Sequence, residues 1–214
     1  SQDKTYVLMK LEPFAEVGAE LPFLTVSSHL QGHGIDVPEI YTFDPVRGFI
    51  LLEDLGDLTL LHKFNEVTDL DVERHLYEKV IEIMVRLHVQ ASPVRAKKPI
   101  PAFKLFFDYE KLMWEVNFAV EHFYERHLGR QLRDRDREIL IEGFSGICLE
   151  LARQPRVFTH RDLHSRNIMV LPDRVVLIDF QDARMGPPQY DLASLLKDSY
   201  YQLEESQILR LIDY

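Results

Sequence analysis

Cysteine is nearly absent from this sequence: Cys148 stands alone, so no disulfide can close within the chain. It lies in an apolar helical pattern with Phe144, Ile147 and Leu151, the setting of a buried thiol rather than a reactive one. A chain without a disulfide framework suits a reducing compartment, and a cytoplasmic location is expected. Long apolar runs are missing too. None approaches the ~20 residues of a membrane span, and Ser1-Gln2-Asp3-Lys4 lacks the apolar stretch of a signal peptide, so no membrane partner is expected. Basic charge is in deficit: 25 Lys and Arg against 35 Asp and Glu give a formal net charge of -10. No nucleic-acid partner is therefore expected, because phosphate neutralisation needs a basic excess or stripe. The nine histidines are scattered without paired metal-ligand spacing. What remains is a 214-residue chain, 46% hydrophobic, long enough for a sizeable core.

Two textures alternate along it. Tyr6 to Met9 and Gly48 to Leu52 are apolar runs of strand length, and Leu21 to Leu30 between them has helical character, ending near Gly32 and Gly34. From Thr68, the residues Leu70, Val72, Leu76, Val80, Ile83, Met84 and Leu87 recur at steps that predict one long amphipathic helix to about His88. Pro93 to Pro101 reads as a loop. Helices are predicted over Asp108 to Leu128, with Trp114 taken as core, and over Asp134 to Arg153. After Pro155 short strands are expected at Arg156 to Thr159, Asn167 to Val170 and Val175 to Ile178, with helix again from Tyr190. The expected fold is α+β: a small sheet-containing lobe over residues 1–55 and a larger helical lobe over 56–214.

The chemistry concentrates in His160-Arg161-Asp162-Leu163-His164-Ser165-Arg166-Asn167, followed after a strand pair by Ile178-Asp179-Phe180. Phosphoryl transfer requires a carboxylate to accept the acceptor's hydroxyl proton and oxygen ligands for Mg²⁺ between the phosphates. Asp162 suits the base, Asn167 and Asp179 the metal. Five residues separate Asp162 from Asn167, which a tight loop can present to one pocket, and the strand pair returns the chain so that Asp179 reaches it.

This ordered set resembles the protein-kinase superfold in its small-molecule branch, the aminoglycoside phosphotransferase and choline kinase family. Asp179 and Asp191 are separated by an interval too short for a protein-kinase activation segment, and Gly186-x4-Asp191-Leu192-Ala193 looks like the element that follows the metal ligand in that family. His164 also stands where protein kinases carry lysine. Within the family, Gly48 to Gly56, His160 to Val170 and Ile178 to Ala183 look most like bacterial anomeric kinases of N-acetylmuramate and N-acetylglucosamine. A bilobal kinase-like fold, ATP and Mg²⁺ as cofactors, and a small-molecule acceptor such as an amino sugar or aminoglycoside are what the resemblance implies. A non-catalytic nucleotide-binding scaffold and a protein kinase are the competing readings.

The same resemblance makes His160 a scaffold whose ring bonds backbone near Asp179, and Asp191 a brace of the catalytic loop. It puts the interlobe hinge at Glu53-Asp54-Leu55, with adenine read by backbone groups at Glu53 and Leu55, and a phosphate-binding lysine at Lys10, with Glu16 or Glu20 as its partner. His164, Arg166 and Glu115 are candidate acceptor contacts, with Asn117, Glu121 and His122 on the same helix as Glu115. Asp182 is a surface or capping residue with a possible approach to the metal, and Arg161 is structural. The family's opening strand, turn and strand do not fit into the nine residues before Lys10, and Tyr214 falls within a helical pattern, so an incomplete chain is expected.

Overall fold

The structure is a computed structural model that describes residues 4–96 and 98–214. Three antiparallel strands form the sheet: β1 (Tyr6–Lys10), β2 (Ile40–Asp44) and β3 (Phe49–Glu53), in the order β1-β3-β2, with Met9 opposite Ile50 and Lys10 opposite Phe49. Strand periodicity puts alternate residues on opposite faces. Ile50 and Leu52 are buried on the inner face, where Met9 and Leu11 join them around Phe14 and Leu24. The β2–β3 turn requires Gly48: its φ is +71°, and a Cβ there would lie 2.3 Å from the carbonyl oxygen of Leu11. Helix α1 (Pro22–Gly32) starts with proline in its first turn, where no N–H is needed, and packs its Leu24, Val26 and Leu30 inward.

The helical part follows β3. Helix α2 (Leu60–Glu66) begins at Thr59, whose Oγ1 accepts from His62 N at 3.2 Å, and it buries Leu60 and Phe64. Burying each of those side chains contributes roughly 2 kcal/mol. Helix α3 (Leu70–Gln90) is capped by Asp69, whose Oδ1 accepts from Asp71 N at 2.8 Å. Its face of Tyr77, Val80, Ile81, Met84 and Leu87 joins the main core, which runs on through Phe158, Leu163, Ile168 and Phe180. Asp108 caps α4 (Tyr109–Phe118) in the same way, its Oδ1 accepting from Lys111 N at 2.9 Å. The predicted helix to Leu128 is present in outline, but residues Ala119–His127 are wound as π-helix, closed by Leu128 N donating to Phe123 O at 3.0 Å. Helix α5 (Asp134–Arg153) packs beside α4 and buries Cys148, as expected.

Trp114 corrects the sequence reading: it is 52% exposed. Tyr109, Leu112, Met113 and Val116, spaced by three and four, form the face of α4 that packs on α5. Trp114 lies off that stripe, against Phe118 and beneath the ammonium of Lys111 at 3.7 Å.

The remaining strands come in two antiparallel pairs: β4 (Val157–Thr159) with β7 (Arg184–Gly186), and β5 (Ile168–Val170) with β6 (Val175–Leu177). Helices α6 (Gln189–Leu196) and α7 (Glu205–Asp213) close the fold. Strands β2 and β7 and helix α2 were not foreseen. Among the described residues no helix is long and apolar enough to cross a membrane.

Candidate active site

Strands β5 and β6 position the site. Leu177 N donates to Asp36 O at 2.9 Å, Val170 N to Leu58 O at 2.9 Å, and Ile178 N to Asn167 O at 3.0 Å. These bonds pin both ends of the hairpin, so Asn167 just before β5 and Asp179 just after β6 emerge side by side. The Asn167 amide nitrogen donates to the backbone oxygen of Asp162 at 3.0 Å and reaches Asp179 Oδ2 at 3.4 Å. One side chain thus ties the three predicted polar residues together. Its Oδ1 keeps no partner among the described residues, and Asp179 exposes its carboxylate, which is held by Gln181 Nε2 at 2.6 Å. One amide oxygen and one carboxylate form a donor set that fits Mg²⁺, which takes one or two protein oxygens and completes its shell with phosphate and water.

Two residues here occupy the left-handed backbone region without being glycine: Arg161 at φ 84° and Asp179 at φ 63°. Each costs on the order of 1–3 kcal/mol and persists only where its surroundings over-determine it. Asp191, fully buried on α6, supplies that constraint for the loop. Its Oδ2 accepts from His160 N at 2.8 Å and from His88 Nε2 at 2.9 Å, and its Oδ1 accepts from Arg161 N at 2.9 Å. Gly186, at the start of the Gly-x4-Asp spacing, permits the approach of β7 to the core: a Cβ there would lie 2.6 Å from the ring of Phe107.

His160 is buried as expected, but among the described residues neither ring nitrogen meets a hydrogen-bond partner by distance and angle. Burial drives its pKa below the usual 6.5, against the pull of Asp191, Asp162, Asp179 and the Ile178 backbone. Its backbone N–H donates to Asp191, and its ring lies beside the Ile178 backbone, next to Asp179.

A cavity of ≈ 660 Å³ lies between sheet and helical part, lined by Met9 and Leu11, by Phe23 and Val26 of α1, and by Asn167 and Asp179. Lys10 does not line it. On the opposite face of β1 from Met9, Lys10 donates to the carbonyl of Arg47 and sits 4.5 Å over the ring of Phe49, and neither Glu16 nor Glu20 pairs with it. The expected lysine is thus turned away from the cavity, because strand alternation gives the inner face to Met9 and Leu11. At the hinge, Glu53 N donates to Glu39 O at 2.8 Å and its carboxylate accepts from Arg174, so Glu53 ties β3 to the turn after β5. The backbone N–H of Leu55 has no partner among the described residues.

His164 lies between the site and a neighbouring hollow: its Nε2 stands 3.4 Å from the Asn167 amide nitrogen, and its ring packs edge-on to Tyr200 at 5.2 Å. Arg166 lies 4.6 Å over the same Tyr200 ring. Asn117 bonds Met113 O, and Glu121 bonds Arg126. Glu115 is different: its Oε2 accepts from the Tyr190 hydroxyl at 3.1 Å. Burial first, and then Glu115, pushes the Tyr190 phenol well above the usual tyrosine range. Beside it Arg161 pairs with Asp182 at 3.1 Å, and Arg184 donates from Nε to Asp182 O at 3.2 Å. Lys111, Arg184, Tyr190 and Gln181 were not singled out from the sequence. The only signal that could have found Tyr190 is its adjacency to Asp191.

A small antiparallel sheet over a helical part, with Asp162, Asn167 and Asp179 joined beside the junction, defines the protein-kinase-like phosphotransferase fold. The family model described as APH, phosphotransferase enzyme family, matches residues 1–214, and the chain belongs to that family. It is 32% identical over 178 residues to the N-acetylmuramate/N-acetylglucosamine kinase of Neisseria meningitidis serogroup B, covering 83% of this chain and 51% of that protein. It is 31% identical over 210 residues to the enzyme of the same name from Pseudomonas aeruginosa, covering 96% of this chain and 57% of that protein. The chain thus spans about half the length of the curated relatives it matches. Among solved structures, choline kinase LicA from Streptococcus pneumoniae superposes with a TM-score of 0.64 at 19% identity, covering all of this chain and 68% of LicA. An ADP-bound aminoglycoside phosphotransferase, APH(2'')-Ib, superposes with a TM-score of 0.66 at 16% identity, covering 100% of this chain and 75% of that one. These two likenesses establish the fold.

Proposed function

We propose that this chain carries the transfer centre of a small-molecule kinase that moves the γ-phosphoryl group of ATP, with Mg²⁺, to a hydroxyl of an amino sugar. The observation that carries the reading is the bridge made by Asn167, whose amide donates to the backbone oxygen of Asp162 and reaches the carboxylate of Asp179, with Asn167 and Asp179 at one edge of a cavity beneath the sheet. Asp162 takes the proton of the acceptor hydroxyl, the new P–O bond forms on that oxygen, the bond between the γ-phosphorus and the β-γ bridging oxygen breaks, and ADP leaves. Asn167 and Asp179 would hold Mg²⁺, which would supply charge neutralisation for the transferred phosphoryl group. Catalysis on this scheme is positioning and electrostatics rather than covalent chemistry. Leu55 N–H is available to read adenine at the hinge, with the Glu53 backbone beside it. Lys10 has no part in gripping phosphate in this arrangement. A cytoplasmic location suits the use of ATP and the single buried thiol.

The amino-sugar acceptor rests on the two kinases that are 32% and 31% identical to this chain over the stretches they share. The test is phosphoryl transfer from labelled ATP by the full-length protein to N-acetylmuramate, N-acetylglucosamine, choline and an aminoglycoside. Transfer to either amino sugar supports the assignment; transfer only to choline or the aminoglycoside removes the sugar and keeps the kinase. Calorimetric ATP binding that is indifferent to Mg²⁺, with no transfer to any acceptor, would favour a non-catalytic nucleotide-binding scaffold.

A further inference from the structure

The loop from His160 to Asn167 is held at its start by a carboxylate, Asp191, which accepts from His160 N and Arg161 N. On the far side of Asp162 a second carboxylate plays the same part. Asp198 lies just past the end of α6, and its Oδ2 accepts from Ser165 N at 2.8 Å. Among the described residues these are the only two side chains that accept from the backbone N–H groups of the loop. Ser165 opens the single helical turn that ends at Asn167, closed by Asn167 N donating to His164 O at 2.9 Å. Ile178 N fixes the other end of that turn through Asn167 O at 3.0 Å.

Local structure accounts for only half of what Asp198 does. Its Oδ1 accepts from Tyr200 N at 2.8 Å, two positions on, a turn that aspartate commonly makes. Such a turn uses one carboxylate oxygen; the other reaches 33 positions back to Ser165. Among the described residues no cation pairs with Asp198, and the neighbouring Lys197 is paired with Glu205 at 3.0 Å. The turn also aims Tyr200 at the loop, its ring edge-on to His164 at 5.2 Å and 4.6 Å beneath the guanidinium of Arg166. His164 Nε2 in turn stands 3.4 Å from the Asn167 amide nitrogen, which already donates to Asp162 O. An imidazole nitrogen that accepts there keeps the nitrogen end of the amide against the loop and leaves Oδ1 for a metal. The segment is anchored behind: Tyr201 donates to Glu73 of α3, its ring lies 4.8 Å from that of Phe64 on α2, and Leu203 is buried.

Resting on the kinase reading above, we infer that Asp198 and Tyr200 are positioning residues: through Ser165 and His164 they fix the side chain of Asn167 so that its Oδ1 meets Mg²⁺. Neither touches the metal or the reacting atoms. Groups that orient a metal ligand govern metal affinity, typically by about 10–100-fold when removed.

Calorimetry of ATP with the full-length protein, in Mg²⁺ and in EDTA, gives the factor by which the metal tightens nucleotide binding. Asp198→Asn leaves one accepting oxygen for two N–H groups, and it is expected to lower that factor about tenfold, with the affinity in EDTA within about twofold of wild type. Tyr200→Leu is expected to lower it about threefold, the scale of one aromatic contact. Tyr200 is exposed, so its variant reports even where the Asp198 variant is unstable. In an Asn167→Ala background neither substitution should change the factor further, because both act through that side chain. A purely structural role would lower the thermal midpoint and leave the factor alone. An unchanged factor in Tyr200→Leu or in a folded Asp198→Asn overturns the inference, as does an undiminished effect in the Asn167→Ala background. A wild type whose ATP affinity ignores Mg²⁺ overturns the kinase reading itself, whereas variants that keep the full metal dependence of the wild type remove only the positioning role.

Discussion

The loop from His160 to Asn167 and the three-stranded sheet lie on opposite sides of one cavity, yet they are held by opposite means. The loop is wired to a buried hub: Asp191 accepts from His160 N, Arg161 N and His88, and Asn167 fastens Asp162 to Asp179. The sheet has an apolar inner face around Ile50 and Leu52 and an exposed outer one, with Tyr6 at 49% and Leu8 at 60% exposure. A reacting centre must fix atoms to fractions of an ångström, which directional hydrogen bonds in a dry interior can do. A cover over a nucleotide needs mainly shape, and a layer of Met9, Leu11, Ile50 and Leu52 supplies that. Substitutions in the loop should therefore reach chemistry or global stability, and those on the outer sheet neither.

The largest effect expected is on Asp162. Asp162→Asn should lower kcat about 10³-fold, equivalent to about 4 kcal/mol of barrier, with the KM for ATP little changed; a variant with wild-type turnover would remove Asp162 as base. Asp191→Ala comes next, because it strands two backbone N–H groups and His88 without an acceptor. A loss of roughly 3 kcal/mol is expected from urea unfolding. On the sheet side, the exception that sharpens the contrast is Gly48→Ala, which forces a Cβ against the Leu11 carbonyl at positive φ and should cost about 2 kcal/mol.

A pH dependence is expected at the junction of the two regions, where His29 of α1 bonds Ala91 O, at the end of α3, at 2.7 Å. Burial is the largest influence on His29 and holds its pKa below the usual 6.5. The unfolded chain therefore binds the proton more readily than the folded one. The stabilisation is complete above about pH 6.5 and lost as pH falls below it toward the folded value. The thermal midpoint should drop on that acid limb, and His29→Gln should flatten the drop. The smallest effect belongs to Lys10: Lys10→Met should leave kcat/KM within about twofold of wild type, under ~0.5 kcal/mol. A hundredfold loss would show that the outer face of β1 takes part in phosphate binding and would break the comparison.

Much of this architecture was legible in the sequence. The helices α1, α3 and α5 announce themselves through three- and four-residue apolar steps, and Asp69 and Asp108 stand at helix starts as local caps. The spacing from Asp162 to Asn167 and the strand pair before Asp179 are equally local, and the structure brings these three residues together. Strand β7 was not legible, because its Met185 is paired across the chain with Leu105 and Phe107. The orientation of Lys10 turns on which face of β1 is inside, and Trp114 on which stripe of α4 meets α5. Arg166 lies in the same loop but stacks over Tyr200, while His164 touches both Tyr200 and the Asn167 amide.

By itself, then, the sequence determined much of the order of elements and brought Asp162, Asn167 and Asp179 forward as one set, since both follow from periodicity and short spacing along one segment. Only the tertiary structure decided which side chains gather around Phe107 beside them. Arg184, Lys111, Tyr190 and Glu115 come from three elements separated by up to 79 positions, from Lys111 to Tyr190. Their juxtaposition is set by how those elements pack around Phe107, a non-local burial that no window of sequence contains.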